Sequence, residues 1–259
     1  MAAGKQKTKE EISFKPVSSD YLYHLLTSER FLLTFKSALE KVRSTHKECG
    51  YHVFKDSLSD QTQVTDLIRG GPGAINFENE KTRNSINKRF SGKNFFEFGT
   101  LHFHPLEMIA NPSHSDLSQG TVLRYGNLEM KGDFPPISMI AIAYKGKVSV
   151  LVYQEPLKMI LERGEVFSLL EDQLEEAETQ NEVIDVLKGS GYKAMILRAH
   201  ASGDFYREDV LKFADYFAFT PKYNRLNAYG SPIIKGSSRL AKYVNEEQDK
   251  KHGSTGEYL

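Results

Sequence analysis

The sequence predicts an α/β protein: a curved mixed or mostly antiparallel β-sheet flanked by helices, with an α-rich C-terminal extension. Three observations predict it. A helical pattern opens the patterned part of the chain, strand-like runs fill its middle, and helix-rich sequence follows Pro156. The length of 259 residues suits one large domain or a domain with an extension.

The elements follow in order. Residues 1–15 are polar and Lys-rich and read as a disordered tail. From Glu29, apolar Phe31, Phe35, Ala38, Leu39 and Val42 recur on one helix face, and this helix should stop by about His46. Tyr51–Phe54 reads as a short strand. The stretch from Lys55 to Lys93 holds Asp, Ser, Asn and a Gly70-Gly71-Pro72-Gly73 turn, so strands or a short helix linked by loops are expected there. Phe96–His104 is strand-like, and a short helix should start near Ser113. Ile137–Tyr144 and Val148–Tyr153, joined by Lys145-Gly146-Lys147, suit a hairpin. Residues 157–188 read as helical with an acidic, solvated face around Glu171–Glu176. A strand is expected over Tyr192–Arg198, and a helix over Tyr206–Phe217 with its start signal in Ser202-Gly203-Asp204. The division is thus a tail over 1–15, a domain over 16–188 and an extension over 189–259.

Composition excludes several function classes. Lys+Arg and Asp+Glu balance at 34 each, so the basic excess of a general nucleic-acid binder is missing. The longest apolar stretch, 137–144, is too short to span a bilayer. The single Cys49 can form neither an intramolecular disulfide nor a Cys-based zinc site. A soluble, cytoplasmic protein is the expectation, and any metal in it must take His and carboxylate ligands. The Gly70–Gly73 run lacks the Gly-Lys-Ser/Thr of a phosphate loop.

The chemistry concentrates in three places: Glu48, His102-Phe103-His104-Pro105, and Ser113-His114-Ser115-Asp116. A strand alternates its faces, so His102 and His104 point the same way while Leu101 and Phe103 point the other. Two imidazoles so placed can grip one metal ion. Asp116, 12 residues after His104, can complete a His₂-carboxylate set that leaves the fourth position to water. Each residue also has a structural reading. The histidines can be paired strand residues without a ligand. Ser113 and Asp116 form a Ser-x-x-Asp pattern close to a capping box, in which the Asp side chain has one task. Glu48 can be a solvated helix-end carboxylate. Glu97, at odd spacing from the His pair, is expected on the opposite face, and Cys49 reads as a small buried core residue.

These residues resemble the JAMM (MPN+, JAB) zinc metalloprotease motif: Glu48-Cys49-Gly50-Tyr51, then His102-x-His104-Pro105, then Pro112-Ser113-x-x-Asp116. The resemblance covers roughly residues 25–155, and extends to about 188 if the acidic helix closes the domain. Eight residues separate His104 from Ser113, one more than is usual in the family. The resemblance implies an MPN/JAB-like sheet and zinc as the cofactor, with His102, His104 and Asp116 as metal ligands. Glu48 would be the general base and Ser113 the donor to the oxyanion of the tetrahedral intermediate. The implied reaction cleaves an amide bond at the C-terminus of a ubiquitin-like modifier or sulfur-carrier protein. A catalytically inactive MPN-type scaffold is the alternative, and a metal-dependent phosphoesterase ranks third. Residues 189–259 are left to hold substrate, form a homodimer or cover the active site.

Overall fold

The computed structural model describes residues 17–56, 58–71, 75–77, 80–90, 95–105, 109–113, 115–117, 136–155 and 165–218. The tail expected over 1–15, the C-terminal end, His114 and half of the Gly70–Gly73 run lie outside them. The chain forms a seven-stranded mixed sheet flanked by helices.

Two helices open the fold, where sequence periodicity showed one. α1 (Ser19–Thr27) is capped by the Ser18 hydroxyl, which accepts the Tyr21 N–H at 3.1 Å. Ser28 ends α1 and starts α2 (Glu29–Thr45), its hydroxyl accepting the Phe31 N–H at 3.3 Å. α2 stops at His46, whose left-handed backbone (φ 50°) closes the last turn. Its buried face is Phe31, Phe35, Ala38, Leu39 and Val42, as the periodicity predicts.

The strands are β1 (Cys49–Asp56), β2 (Thr62–Val64), β3 (Ile68–Arg69), β4 (Phe95–His104), β5 (Ile137–Tyr144), β6 (Lys147–Gln154) and β7 (Lys193–Ala199). Their order is β2-β1-β4-β5-β6-β7, with β3 also on β1. All neighbours are antiparallel except β4 and β5. A parallel pair is joined by a crossover rather than a hairpin, and of the connection between β4 and β5 the structure describes 105, 109–113, 115–117 and 136. β5 is central and buried on both faces, which explains its near-continuous apolar run. Lys145 and Gly146, both at positive φ, make the two-residue turn from β5 to β6. In the 55–93 stretch, α3 (Glu80–Phe90) docks on β2 through Arg89, which donates to Val64 O and Gln63 Oε1. Phe90 stacks on Phe54 at 4.1 Å.

Three further helices complete the structure: α4 (Glu165–Glu175), α5 (Gln180–Gly189) and α6 (Arg207–Phe217). One sheet face carries the larger core, filled by α1, α2 and α6. The other carries a smaller cluster in which Leu170, Leu174, Val183 and Leu187 of α4 and α5 meet Ile140, Ile142 and Leu151. No break in the fold coincides with residue 188. β7 pairs with β6 from Lys193 to Ala199, and Phe213 and Phe217 of α6 belong to the larger core. Ser202-Gly203-Asp204 does not start α6, which begins at Arg207 without a side-chain cap. Those residues form a turn with Gly203 at φ 90°, and Asp204 pairs with Lys36 of α2 at 2.6 Å. No helix among the described residues is long and apolar enough to cross a membrane.

Candidate metal centre

β4 delivers the two histidines. Leu101 and Phe103 enter the larger core, so His102 and His104 point to the opposite face, beside Ile140 and Ile142 of β5. Their Nε2 atoms lie 2.9 Å apart. The crossover after β4 then brings Asp116 back over them, with Asp116 Oδ1 3.2 Å from His102 Nε2 and Oδ2 3.7 Å from His104 Nε2. His102, His104 and Asp116 are 2%, 6% and 8% exposed. Among the described residues they form the one group of three or more His, Cys, Asp or Glu side chains that can hold a metal ion.

The donor set fits such an ion. Bonds of 2.0–2.1 Å in a tetrahedron put ligand atoms about 3.3 Å apart; the two Nε2 atoms at 2.9 Å and the His102 Nε2–Asp116 Oδ1 pair at 3.2 Å lie near that value, and one ligand atom from each of the three residues lies within 4.8 Å of the other two. Burial acts to raise the Asp116 carboxyl. The charges of His102 and His104, with hydrogen bonds from His102 and Ser113, outweigh it and hold the group well below the usual carboxylate range. Asp116 is therefore anionic over the whole neutral range, as a ligand must be.

Ser113 and Asp116 cap each other at the helical turn over 115–117. The Ser113 N–H and O–H donate to Asp116 Oδ2 at 2.8 and 2.7 Å, and the Asp116 N–H reaches Ser113 Oγ at 3.4 Å. Ser113 is exposed and Asp116 buried, so the pair stands at the rim of the site. The loop leading to it is tied to the far helices. The Gln180 amide clamps Ala110, accepting its N–H at 2.7 Å and donating to its carbonyl at 3.0 Å, and Asn111 donates to Leu174 O at 2.6 Å. Sequence reasoning missed Gln180, which is 70 residues from its partner and carries no motif.

Glu48 is 7% exposed, which removes the reading as a solvated helix-end carboxylate. Its backbone is held by Gly70 N–H and Gly71 O, each at 2.8 Å. The β1–β4 register pairs Cys49 with Phe103 and Gly50 with His102. Glu48 immediately precedes this ladder, next in the chain to Cys49.

Glu97 corrects a parity argument. The register shifts between Val53 and Phe54, leaving Phe98 as an extra residue on β4. Phe96 and Phe98 therefore face the larger core together with Leu101 and Phe103, and Glu97 turns to the histidine face, where it pairs with His52 Nδ1. A bulge leaves no mark in residue spacing. Between His52 and His102 lies the ring of Phe77, edge-on to both. Cys49 is buried as expected, and burial pushes its thiol up to about 11.

No protein-family model matches this chain, and no curated protein matches it significantly.

Proposed function

We propose that the chain is a zinc-dependent metallopeptidase or isopeptidase, similar to the JAMM (MPN+) enzymes and built on an MPN-like sheet. Its substrate is an amide bond at the C-terminus of a ubiquitin-like modifier or sulfur-carrier protein. The observation that supports this most is the meeting of His102, His104 and Asp116 in one buried group. A cytoplasmic location is consistent with the single free Cys49.

A zinc ion held by the three side chains would supply Lewis acidity toward the scissile carbonyl and a water of lowered pKa as nucleophile. Glu48 stands outside the ligand group, so its carboxylate takes the proton of the attacking water and passes it to the leaving amine. Ser113 presents its hydroxyl at the exposed rim. That hydroxyl donates to Asp116 Oδ2, so it must turn to serve an oxyanion; the Ser113 N–H keeps Asp116 in place meanwhile. One such donor is typically worth about 3 kcal/mol of transition-state stabilisation.

The test measures zinc content and hydrolysis of ubiquitin-like fusion substrates. Wild type should carry about one zinc per chain, His104→Ala none. Glu48→Gln should keep its zinc and lose about 10²–10⁴-fold in rate. Failure of the wild type to take up zinc would sink the metallopeptidase reading, and wild-type cleavage by Glu48→Gln would sink the choice of base.

A further inference from the structure

A metal-ligating imidazole is ordinarily held by a hydrogen bond at its second ring nitrogen. His102 Nδ1 is buried and has no such partner among the described residues. Its ring is therefore set by its Nε2 neighbours, His104 and Asp116, and by ring packing, in which Phe77 is the partner from outside the ligand group. The Phe77 ring meets His102 at 5.8 Å between centroids and 73° between planes, and meets His52 at 5.0 Å and 82°. The space for it comes from Gly50, the β1 partner of His102. A Cβ at position 50 would lie 2.7 Å from His102 Cβ and 2.8 Å from Phe77 Cζ. Beyond Phe77, His52 is anchored to Glu97, which the β4 bulge turned to this face. Glu97, His52, Phe77 and His102 thus form one continuous line of contacts ending at the metal group.

We propose that Phe77 is a positioning residue for the metal centre. Wedged over Gly50 and backed by the His52–Glu97 pair, it sets the His102 ring so that Nε2 faces His104 and Asp116. This rests on the reading of His102, His104 and Asp116 as metal ligands, and the experiment separates the two claims.

Cobalt(II) is titrated into metal-free wild type, Phe77→Ala and Phe77→Leu, and the visible absorption bands report both affinity and coordination geometry. The thermal midpoint of each metal-free protein is measured alongside. Phe77→Ala is expected to bind cobalt about 10–100-fold more weakly, with altered bands. Phe77→Leu, which restores bulk without a planar edge, should fall between. A purely structural role would lower the thermal midpoint and leave the cobalt affinity and spectrum unchanged; that result overturns the proposal. Should Phe77→Ala fail to fold, Phe77→Leu decides by the same criterion. Absence of cobalt binding by wild type would overturn the metal reading, and this proposal with it.

Discussion

Asp116 divides its carboxylate between two tasks: Oδ2 accepts both the N–H and the O–H of Ser113, while Oδ1 faces His102 Nε2 at 3.2 Å. The capping box and the candidate metal group therefore share one carboxylate, whereas the sequence pattern gives Asp116 a single task. Capping pins the carboxylate that the histidines need.

Ser113→Ala deletes the hydroxyl but keeps the backbone N–H that holds Asp116. The variant should lose about 1 kcal/mol of stability, read from the urea midpoint, and retain zinc. Its turnover should fall about 10²–10³-fold if the hydroxyl serves the oxyanion. Unchanged turnover would restrict Ser113 to capping.

Gly50→Ala tests how tightly β1 and β4 close behind the metal group. The added Cβ would meet the Leu101 carbonyl oxygen at 2.5 Å, a backbone atom that cannot step aside. A loss of about 1–3 kcal/mol is expected from overpacking, with weaker metal uptake because His102 and Phe77 are displaced together. Denaturant melts and a metal titration on the same preparation check both.

The attachment of α6 should depend on pH. Hydrogen bonds from Arg198 hold the Asp209 carboxyl below its usual range, against the opposing effect of burial. The guanidinium grips it at 2.7 and 2.8 Å. A carboxyl lowered on folding stabilises the native state above its unfolded pKa of about 3.9, and this contribution is lost as pH falls through the lower folded value. Wild type should thus exceed Asp209→Asn in urea midpoint by a constant margin from pH 7 to 5. The margin should close at lower pH; one that widened on acidification would contradict the assignment.

Cys49 should be chemically silent in the native protein. Its thiol is buried, lifted to about 11, and set against Ala38 O at 3.5 Å. A thiol so raised holds more than about 100-fold less thiolate at neutral pH than a free one. Alkylation should therefore be slow in buffer and fast in urea, and Cys49→Ser should cleave substrate like wild type. Loss of cleavage in Cys49→Ser would contradict the reading of Cys49 as a core residue.

A chain ending at residue 188 should not fold. It would lack β7 along the whole of β6 and lose Phe213 and Phe217 from the larger core. Removing even one buried Phe side chain typically costs about 3–5 kcal/mol, against a total domain stability of about 5–15 kcal/mol. The thermal melt of the truncated chain should show no cooperative transition. A sharp melt near that of the full chain would place 189–259 outside the cooperative unit.

Much of this was readable from neighbouring residues. The α2 face, the shared direction of His102 and His104, the β5–β6 hairpin and the Ser113–Asp116 cap all depend on spacings of a few positions, where backbone periodicity and local hydrogen bonds dominate. What spacing could not show depends on partners far along the chain. The bulge at Phe98 lies in the pairing of β4 with β1, and it moved Glu97 to the histidine face. The Gln180 clamp on Ala110, the Phe77 wedge over Gly50 and the place of β7 in the sheet are likewise long-range. Each is favoured by contacts spread over two or three elements, and no single segment carries enough of that energy to leave a pattern in the sequence.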